Sequence, residues 1–120
     1  MAQVLLVEAD QETRNQLVPV LERLGHDVTA CQGVAHAWQW NVLDHDFDLY
    51  VLGAAPDNVF VLGLCSSLHI MYPARPILVL LAGKSPSDSQ QAADAGATAV
   101  LTKPVSTAQF EHTVCELAQC

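Results

Sequence analysis

Three charged side chains follow apolar runs of the chain, at positions where they could do chemistry together. Glu8 and Asp10 come directly after Val4–Val7, and Lys103 follows a second, shorter apolar run. The carboxyl ends of parallel strands meet at one edge of a sheet, so we expect these side chains to lie close together. The two carboxylates could hold Mg²⁺ weakly, and the lysine could bind an anion. An ion pair between Lys103 and Glu8 or Asp10 is the simpler expectation, because neighbouring carboxylates repel an anion.

Other signatures of catalysis or metal binding are absent from the sequence. Residues 8–11 are not a glycine-rich phosphate loop, and no nucleophile stands beside a base that could activate it. No cysteine belongs to a Cys-x-x-Cys pair or has a histidine at zinc-ligand spacing. The cysteines are Cys31, Cys65, Cys115 and Cys120. We therefore expect no enzyme and no cofactor, and we read the cysteines as reduced thiols, with a thiol-based redox sensor as an alternative.

The composition indicates one folded domain. The chain has 120 residues, of which 51% are hydrophobic and 15% charged, whereas charged residues usually make up about 25% of a protein. This balance excludes disorder, which requires few apolar and many charged residues. Apolar surface left exposed after folding would suit an interaction face, and an ordinary alanine-rich domain would explain the same composition.

The charge balance bounds the partners and the location. Thirteen acidic residues against five basic ones give a net charge of -8, which repels phosphate backbones and argues against direct nucleic-acid binding. No apolar run reaches the roughly 20 residues that cross a bilayer. The first residues lack the basic flank of a secretory signal. We expect a cytoplasmic protein with protein partners and no membrane association.

Short apolar runs alternate with helical patterns five times, which predicts an α/β fold with a doubly wound, five-stranded parallel sheet. The predicted strands are Val4–Val7, His26–Cys31, Asp48–Leu52, Pro76–Leu81 and Ala99–Thr102. The predicted helices run from Asp10 to Gly25, from Val34 to Leu43, from Val59 to His69, from Ser85 to Gly96 and from Ser106 onward, the last with Phe110, Val114 and Leu117 inward.

Three helix positions carry further predictions. Asp10 should cap the first helix. Pro19 falls inside that helix and should kink it or cost a hydrogen bond. Trp38 and Trp40 are two residues apart and cannot share one helix face, so one belongs in the core and the other could anchor a partner.

Segments along essentially the whole chain resemble the receiver domains of two-component response regulators. These segments are Val4–Asp10, Asp48–Leu52, Pro76–Ala82, Ala92–Ala97 and Leu101–Pro104. The resemblance implies a flavodoxin-like (βα)5 fold over residues 1–120. It also implies the N-terminal domain of a longer regulator, or a free-standing adaptor, in bacterial two-component signalling.

The family resemblance also implies where a phosphorylation site would lie. In receivers an acidic pair after the first strand holds Mg²⁺, and an aspartate ending the third strand takes phosphate. A hydroxyl residue ending the fourth strand and a lysine ending the fifth hold the phosphoryl oxygens, and an aromatic residue on the fifth strand reports the change. The corresponding positions here are Glu8, Ala9, Asp10, Gly53, Leu81, Val100 and Lys103.

Most of that chemistry is missing from those positions. Ala9 stands at the second acidic position and Gly53 at the acceptor. Pro56 comes one residue early, so the acceptor could align with Leu52, but residues 49–56 contain no acid in either case. Leu81 replaces the hydroxyl residue, and is expected to fill the pocket, while Val100 replaces the aromatic one.

The sequence therefore predicts a degenerate receiver domain that binds proteins independently of phosphorylation. Phosphorylation of a non-standard acid, such as Asp57 or Asp10, is an alternative. A homodimer is one expected partner arrangement, although the fourth and fifth helices carry acids and no lysine or arginine, which argues against the family's salt-bridged dimer. The predicted partner-binding residues are Gln91, Asp94, Thr98, Glu111 and Trp40.

Overall fold

A five-stranded parallel sheet forms the middle layer of the molecule. The computed structural model describes residues 2–54, 59–83 and 86–118. The strands are β1 (Gln3–Val7), β2 (Asp27–Cys31), β3 (Leu49–Gly53), β4 (Ile77–Ala82) and β5 (Ala99–Lys103). Their order in the sheet is β2-β1-β3-β4-β5 and all neighbours are parallel. The predicted flavodoxin-like fold is confirmed.

Five helices cover the two faces of this sheet. They are α1 (Gln11–Arg23), α2 (Val34–Gln39), α3 (Val59–Met71), α4 (Pro86–Asp94) and α5 (Thr107–Ala118). A single 3-10 turn, Val42–Asp44, lies between α2 and β3. The longest helices, α1 and α3, have 13 residues each, and crossing a bilayer takes about 20. Within the described ranges, no helix combines the length and apolarity that a membrane span requires.

The central strands are apolar on both faces because each face packs against helices. Val4 and Leu6 of β1 belong to one buried cluster, which includes residues of α1 and α5. Leu5 and Val7, pointing the other way, belong to a second cluster with residues of α2 and α3. Alternate residues of a strand face opposite sides of the sheet, so a strand covered on both sides reads as an unbroken apolar run.

The start of α1 and its internal proline agree with the sequence. Asp10 is the N-cap, and its carboxylate accepts a hydrogen bond from the backbone N–H of Thr13 at 3.2 Å. The helix is continuous across Pro19. Proline has no amide hydrogen, so one hydrogen bond of the helix is lost there.

The predicted helix over Val34–Leu43 is wrong beyond Gln39. Asn41 adopts the left-handed conformation (φ 56°), which ends the helical path, and the 3-10 turn follows. This turn directs Val42 into the core, where it is completely buried. The helix predicted through Leu43 is therefore interrupted where the chain turns to bury Val42 in the core.

The remaining boundaries differ from the predictions by one or two residues. The second strand begins at Asp27 and not at His26. His26 is buried, and its Nδ1 accepts a hydrogen bond from the backbone N–H of Ala2 at 3.1 Å. The predicted cap Ser85 lies outside the described residues.

Candidate functional site

Glu8 and Lys103 form an ion pair at the carboxyl edge of the sheet. Lys103 Nζ lies 2.7 Å from Glu8 Oε1 and 2.9 Å from Oε2. The same ammonium donates to the carbonyl oxygen of Ala54, directly after β3, at 2.8 Å. One lysine side chain thus connects the ends of β1, β3 and β5. The ion pair that the sequence predicts is confirmed.

The pair is largely removed from water. The Glu8 side chain is 0% exposed and that of Lys103 is 19% exposed. Glu8 Oε2 also accepts a hydrogen bond from the backbone N–H of Asp10 at 3.1 Å. Oε1 makes the ion contact with Lys103 but accepts no directed hydrogen bond. A charge buried in this way depends on its partner, since losing either one leaves an uncompensated charge away from water.

Gly53 lies against the Glu8 carboxylate. A Cβ atom on residue 53 would stand 2.1 Å from Glu8 Oε1 and 2.7 Å from its Cδ. Gly53 does not have a positive φ angle, so space and not backbone conformation requires glycine here. The carboxylate of Glu8, reaching over from β1, occupies the volume that a side chain at the end of β3 would need.

The side chains around this pair do not fit a Mg²⁺ ion, which prefers near-octahedral oxygen ligation. Glu8 is already paired with Lys103, and Ala9 offers no side-chain ligand. Asp10 turns to the start of α1, where hydrogen bonds from Thr13 hold the pKa of its carboxyl below the ordinary value. The described part of the chain contains no cluster of three or more potential metal ligands.

Leu81 and Val100 are apolar residues of the neighbouring strands β4 and β5. Leu81 is buried in the cluster that the sheet forms with α2, α3 and α4, and Val100 packs against the same cluster while remaining partly exposed. Neither residue offers a hydrogen-bonding side chain to the Glu8–Lys103 pair.

The comparisons with known proteins agree with this architecture. The family model of the response regulator receiver domain matches residues 4–114. The chain belongs to the response regulator receiver family. No curated protein matches it.

Solved structures place this receiver domain among close structural neighbours. A CheY-like receiver domain protein from Methanospirillum hungatei JF-1 superposes with a TM-score of 0.87 at 18% identity, covering 99% of this chain and 94% of that one. The chemotaxis protein CheY4 of Vibrio cholerae gives 0.83 at 22% identity, with 98% of each chain covered. NtrX from Brucella abortus gives 0.83 at 17% identity, and there 98% of this chain spans only 27% of the longer protein. These likenesses concern the fold.

The predicted partner-binding residues of the receiver domain do not form one free surface. Gln91 and Asp94 are exposed on α4. Thr98 is exposed, but its Oγ1 also accepts a hydrogen bond from the N–H of Ile77 at 3.0 Å. Glu111 lies 3.6 Å from Arg23 of α1. The interaction role of these residues stays a prediction.

Trp40, the tryptophan named as a partner-binding candidate, is the more buried of the two tryptophans. Trp40 is half-buried against the core, and its ring stacks on His45 with 4.0 Å between centroids. Trp38 is 41% exposed. The sequence reveals that one ring must face outward, but the choice depends on where α2 ends. Phe60, 64% exposed at the start of α3, is a second exposed ring that the sequence analysis did not single out.

The thiols of the receiver domain give little support to a redox sensor. Cys31 and Cys65 are buried. Burial raises the pKa of the Cys31 thiol above its ordinary value, and raises that of Cys65 to about 11. The thiolate is the reactive form, so these two cysteines are poor nucleophiles at neutral pH. Cys115 is partly buried, and Cys120 lies outside the described residues.

Proposed function

We propose that this receiver domain signals by binding proteins and that its activity does not depend on phosphorylation. The observation that carries the proposal is the position of the Glu8 carboxylate, which fills the space of the missing side chain at Gly53 and pairs with Lys103. Phosphoryl transfer to a receiver needs a carboxylate nucleophile with open access, a divalent ion and cationic groups free to hold oxygens.

Glu8 is a poor substitute for an acceptor. Its carboxylate is completely buried, and an incoming phosphoryl group would have to displace the Lys103 ammonium from it. Lys103 is also engaged with the Ala54 carbonyl, so it is not free to receive an anion. Breaking a buried pair costs about 3–5 kcal/mol, which opposes any such exchange.

The same contacts support a receiver held in one state. Lys103 joins the ends of β1, β3 and β5, so a phosphoryl group could reach this lysine only by breaking its contacts with Glu8 and Ala54. The identity of the protein bound to the domain would then carry the signal. Such a domain would act in the cytoplasm within a signalling or regulatory pathway.

Incubation with acetyl phosphate and Mg²⁺, followed by intact-mass measurement, tests this function. The expected result is an unchanged mass, while an aspartate-bearing receiver treated in parallel gains one phosphoryl group. In a second measurement, beryllofluoride with Mg²⁺ should leave the amide NMR signals of Glu8, Gly53 and Lys103 unshifted.

A stable phosphoryl adduct on this chain would overturn the proposal. The variants Asp10→Asn and Asp57→Asn would then identify the accepting acid, since the adduct should disappear in one of them. Asp10 is exposed at the start of α1, and Asp57 lies outside the described residues.

A further inference from the structure

An apolar groove opens at the carboxyl edge of the sheet, between the β1–α1 connection and the beginnings of α2 and α3. Its volume is about 410 Å³, and its walls include Ala9, Gly33, Val34, Trp38 and Phe60. Pockets that bind small molecules occupy about 300–1,000 Å³, so this groove can take one or more large apolar side chains.

Two aromatic side chains of the groove are exposed to solvent. Trp38 on α2 is 41% exposed and Phe60 on α3 is 64% exposed. Covering them would remove apolar area from water, which is favourable in proportion to the area covered. Aromatic residues, tryptophan above all, are enriched at the centres of protein interfaces.

Two small residues, Ala9 and Gly33, line the groove next to each other. A Cβ atom on Gly33 would lie 3.5 Å from the Cβ of Ala9. Ala9 stands where the family resemblance places the second acidic residue, so a carboxylate at that position would bring a negative charge to the lining. With alanine there, the side chain at this position of the groove is apolar.

Two exposed carboxylates, Asp10 and Asp44, adjoin residues that line the groove. Asp10 follows Ala9, is exposed, and has a pKa held below its ordinary value by hydrogen bonds from Thr13, so it is ionised at neutral pH. Beyond Trp38, a smaller adjoining depression includes the exposed Asp44. A base, Arg14 of α1, also lies at this edge of the sheet, and its guanidinium donates to the backbone carbonyls of Glu8 (2.6 Å) and Ala9 (3.1 Å).

We propose that this groove binds an amphipathic segment of another protein, with large apolar side chains flanked by lysine or arginine. The proposal rests on the proposed function, because it names the surface and the partner chemistry of that protein-binding role. The net negative charge of the chain disfavours a second copy of the same chain as the occupant of the groove. Each copy carries a net charge of -8, so two copies repel, whereas a basic segment meets complementary carboxylates at Asp10 and Asp44.

Peptide titration of the complete ¹⁵N-labelled chain tests the proposal. The probe is a synthetic helical peptide with leucines at i, i+3, i+4 and i+7 and flanking lysines. Saturable shifts are expected at the amides of Ala9, Gly33 and Val34, and at Trp38 and Phe60. A peptide of the same apolar sequence with flanking glutamates is expected to bind at least about tenfold more weakly.

Variants distinguish peptide binding in the groove from non-specific adsorption of the peptide to other exposed apolar side chains. Trp38→Ala and Phe60→Ala should each lower the affinity for the lysine peptide by about tenfold or more, as at interface hot spots. The matched control is Ile70→Ala, near the other end of α3, where the side chain is 77% exposed and is not part of the groove. It should leave binding unchanged. Asp44→Asn should weaken binding and reduce its dependence on salt, while Glu22→Gln, at an exposed position in the last turn of α1, should do neither.

Three results would overturn the inference. These are shifts that map away from the groove, equal binding of the lysine and glutamate peptides, and a concentration-dependent homodimer that Phe60→Ala abolishes. The outcome is separable from that of the proposed function. A phosphoryl adduct together with groove binding would refute only phosphorylation independence, and an unchanged mass without groove binding would refute only this surface.

Discussion

At the scale of single residues, the contact between Gly53 and Glu8 limits which side chains fit at the end of β3. Most glycines that resist substitution do so because the backbone has a positive φ angle. Gly53 has no such angle, and the restriction comes from a carboxylate on another strand. Glu8 in turn is held by Lys103, so an ion pair keeps the carboxylate against Gly53.

Substituting Gly53 by alanine should therefore destabilise the domain. The added methyl would lie 2.1 Å from Glu8 Oε1, which cannot move without leaving Lys103. Overpacking of this kind costs about 1–3 kcal/mol. Urea unfolding measures the change.

The matched control is Gly63→Ala, inside α3, where an added Cβ meets nothing within 4 Å. Alanine is favoured over glycine within a helix by about 0.5–1 kcal/mol, so this variant should be more stable than the parent. If Gly53→Ala were as stable as Gly63→Ala, the Glu8–Lys103 pair would be mobile and the site could open.

At the scale of elements, Gly96 both ends α4 and allows it to pack closely against α3. The N–H of Gly96 donates to the carbonyl of Ala93 at 3.0 Å, and that of Ala97 donates to Ala92 at 3.0 Å. This is the Schellman pattern, in which the residue after the cap is left-handed. Gly96 has φ +104°, and a Cβ there would stand 2.3 Å from Cγ of His69 on α3.

Gly96→Ala should cost about 2–4 kcal/mol in urea unfolding, because backbone strain and a steric clash add together. In a His69→Gly background, which also removes the His69 Cβ that would lie 2.5 Å away, only the strain should remain, about 1–2 kcal/mol. The difference between the two backgrounds measures the clash. Equal costs in both would mean that the contact between α3 and α4 adjusts freely and that strain alone restricts this position.

At the scale of the whole molecule, charge is the dominant feature. The chain carries 13 acidic and 5 basic residues. Some acids are paired, as Asp46 is with Arg75 at 2.8 Å, but the excess remains. Self-repulsion of this kind opposes the compact state and keeps copies of the molecule apart.

Raising the NaCl concentration from about 0.01 M to about 0.3 M at pH 7 should raise Tm, because salt screens the repulsion between exposed charges. The expected gain is about 1 kcal/mol, or roughly 4 °C for a domain of this size. Thermal unfolding followed by circular dichroism measures it. Near pH 4.7, the isoelectric point, the salt effect should vanish. A Tm that falls with salt at pH 7 would show that surface ion pairs outweigh the net repulsion.

The amino-acid sequence alone determined the fold and the location of the site. Apolar runs and helical patterns are local properties, so the five strands, the cap at Asp10 and the end of α4 before Gly96 could be read directly. The Glu8–Lys103 pair could also be predicted, because in a parallel sheet the carboxyl ends of all strands meet at one edge.

Only the tertiary structure decided how that site is filled and which surface is left open. The 2.1 Å separation between the Cβ position of Gly53 and Glu8 Oε1 joins residues 45 positions apart, and no local pattern encodes it. Similarly, the left-handed Asn41 ends the helical region so that Val42 can reach the core, and Trp40 packs against that core while Trp38 is exposed. Periodicity specifies which face of an element is apolar, whereas distances between elements follow from packing the whole core at once.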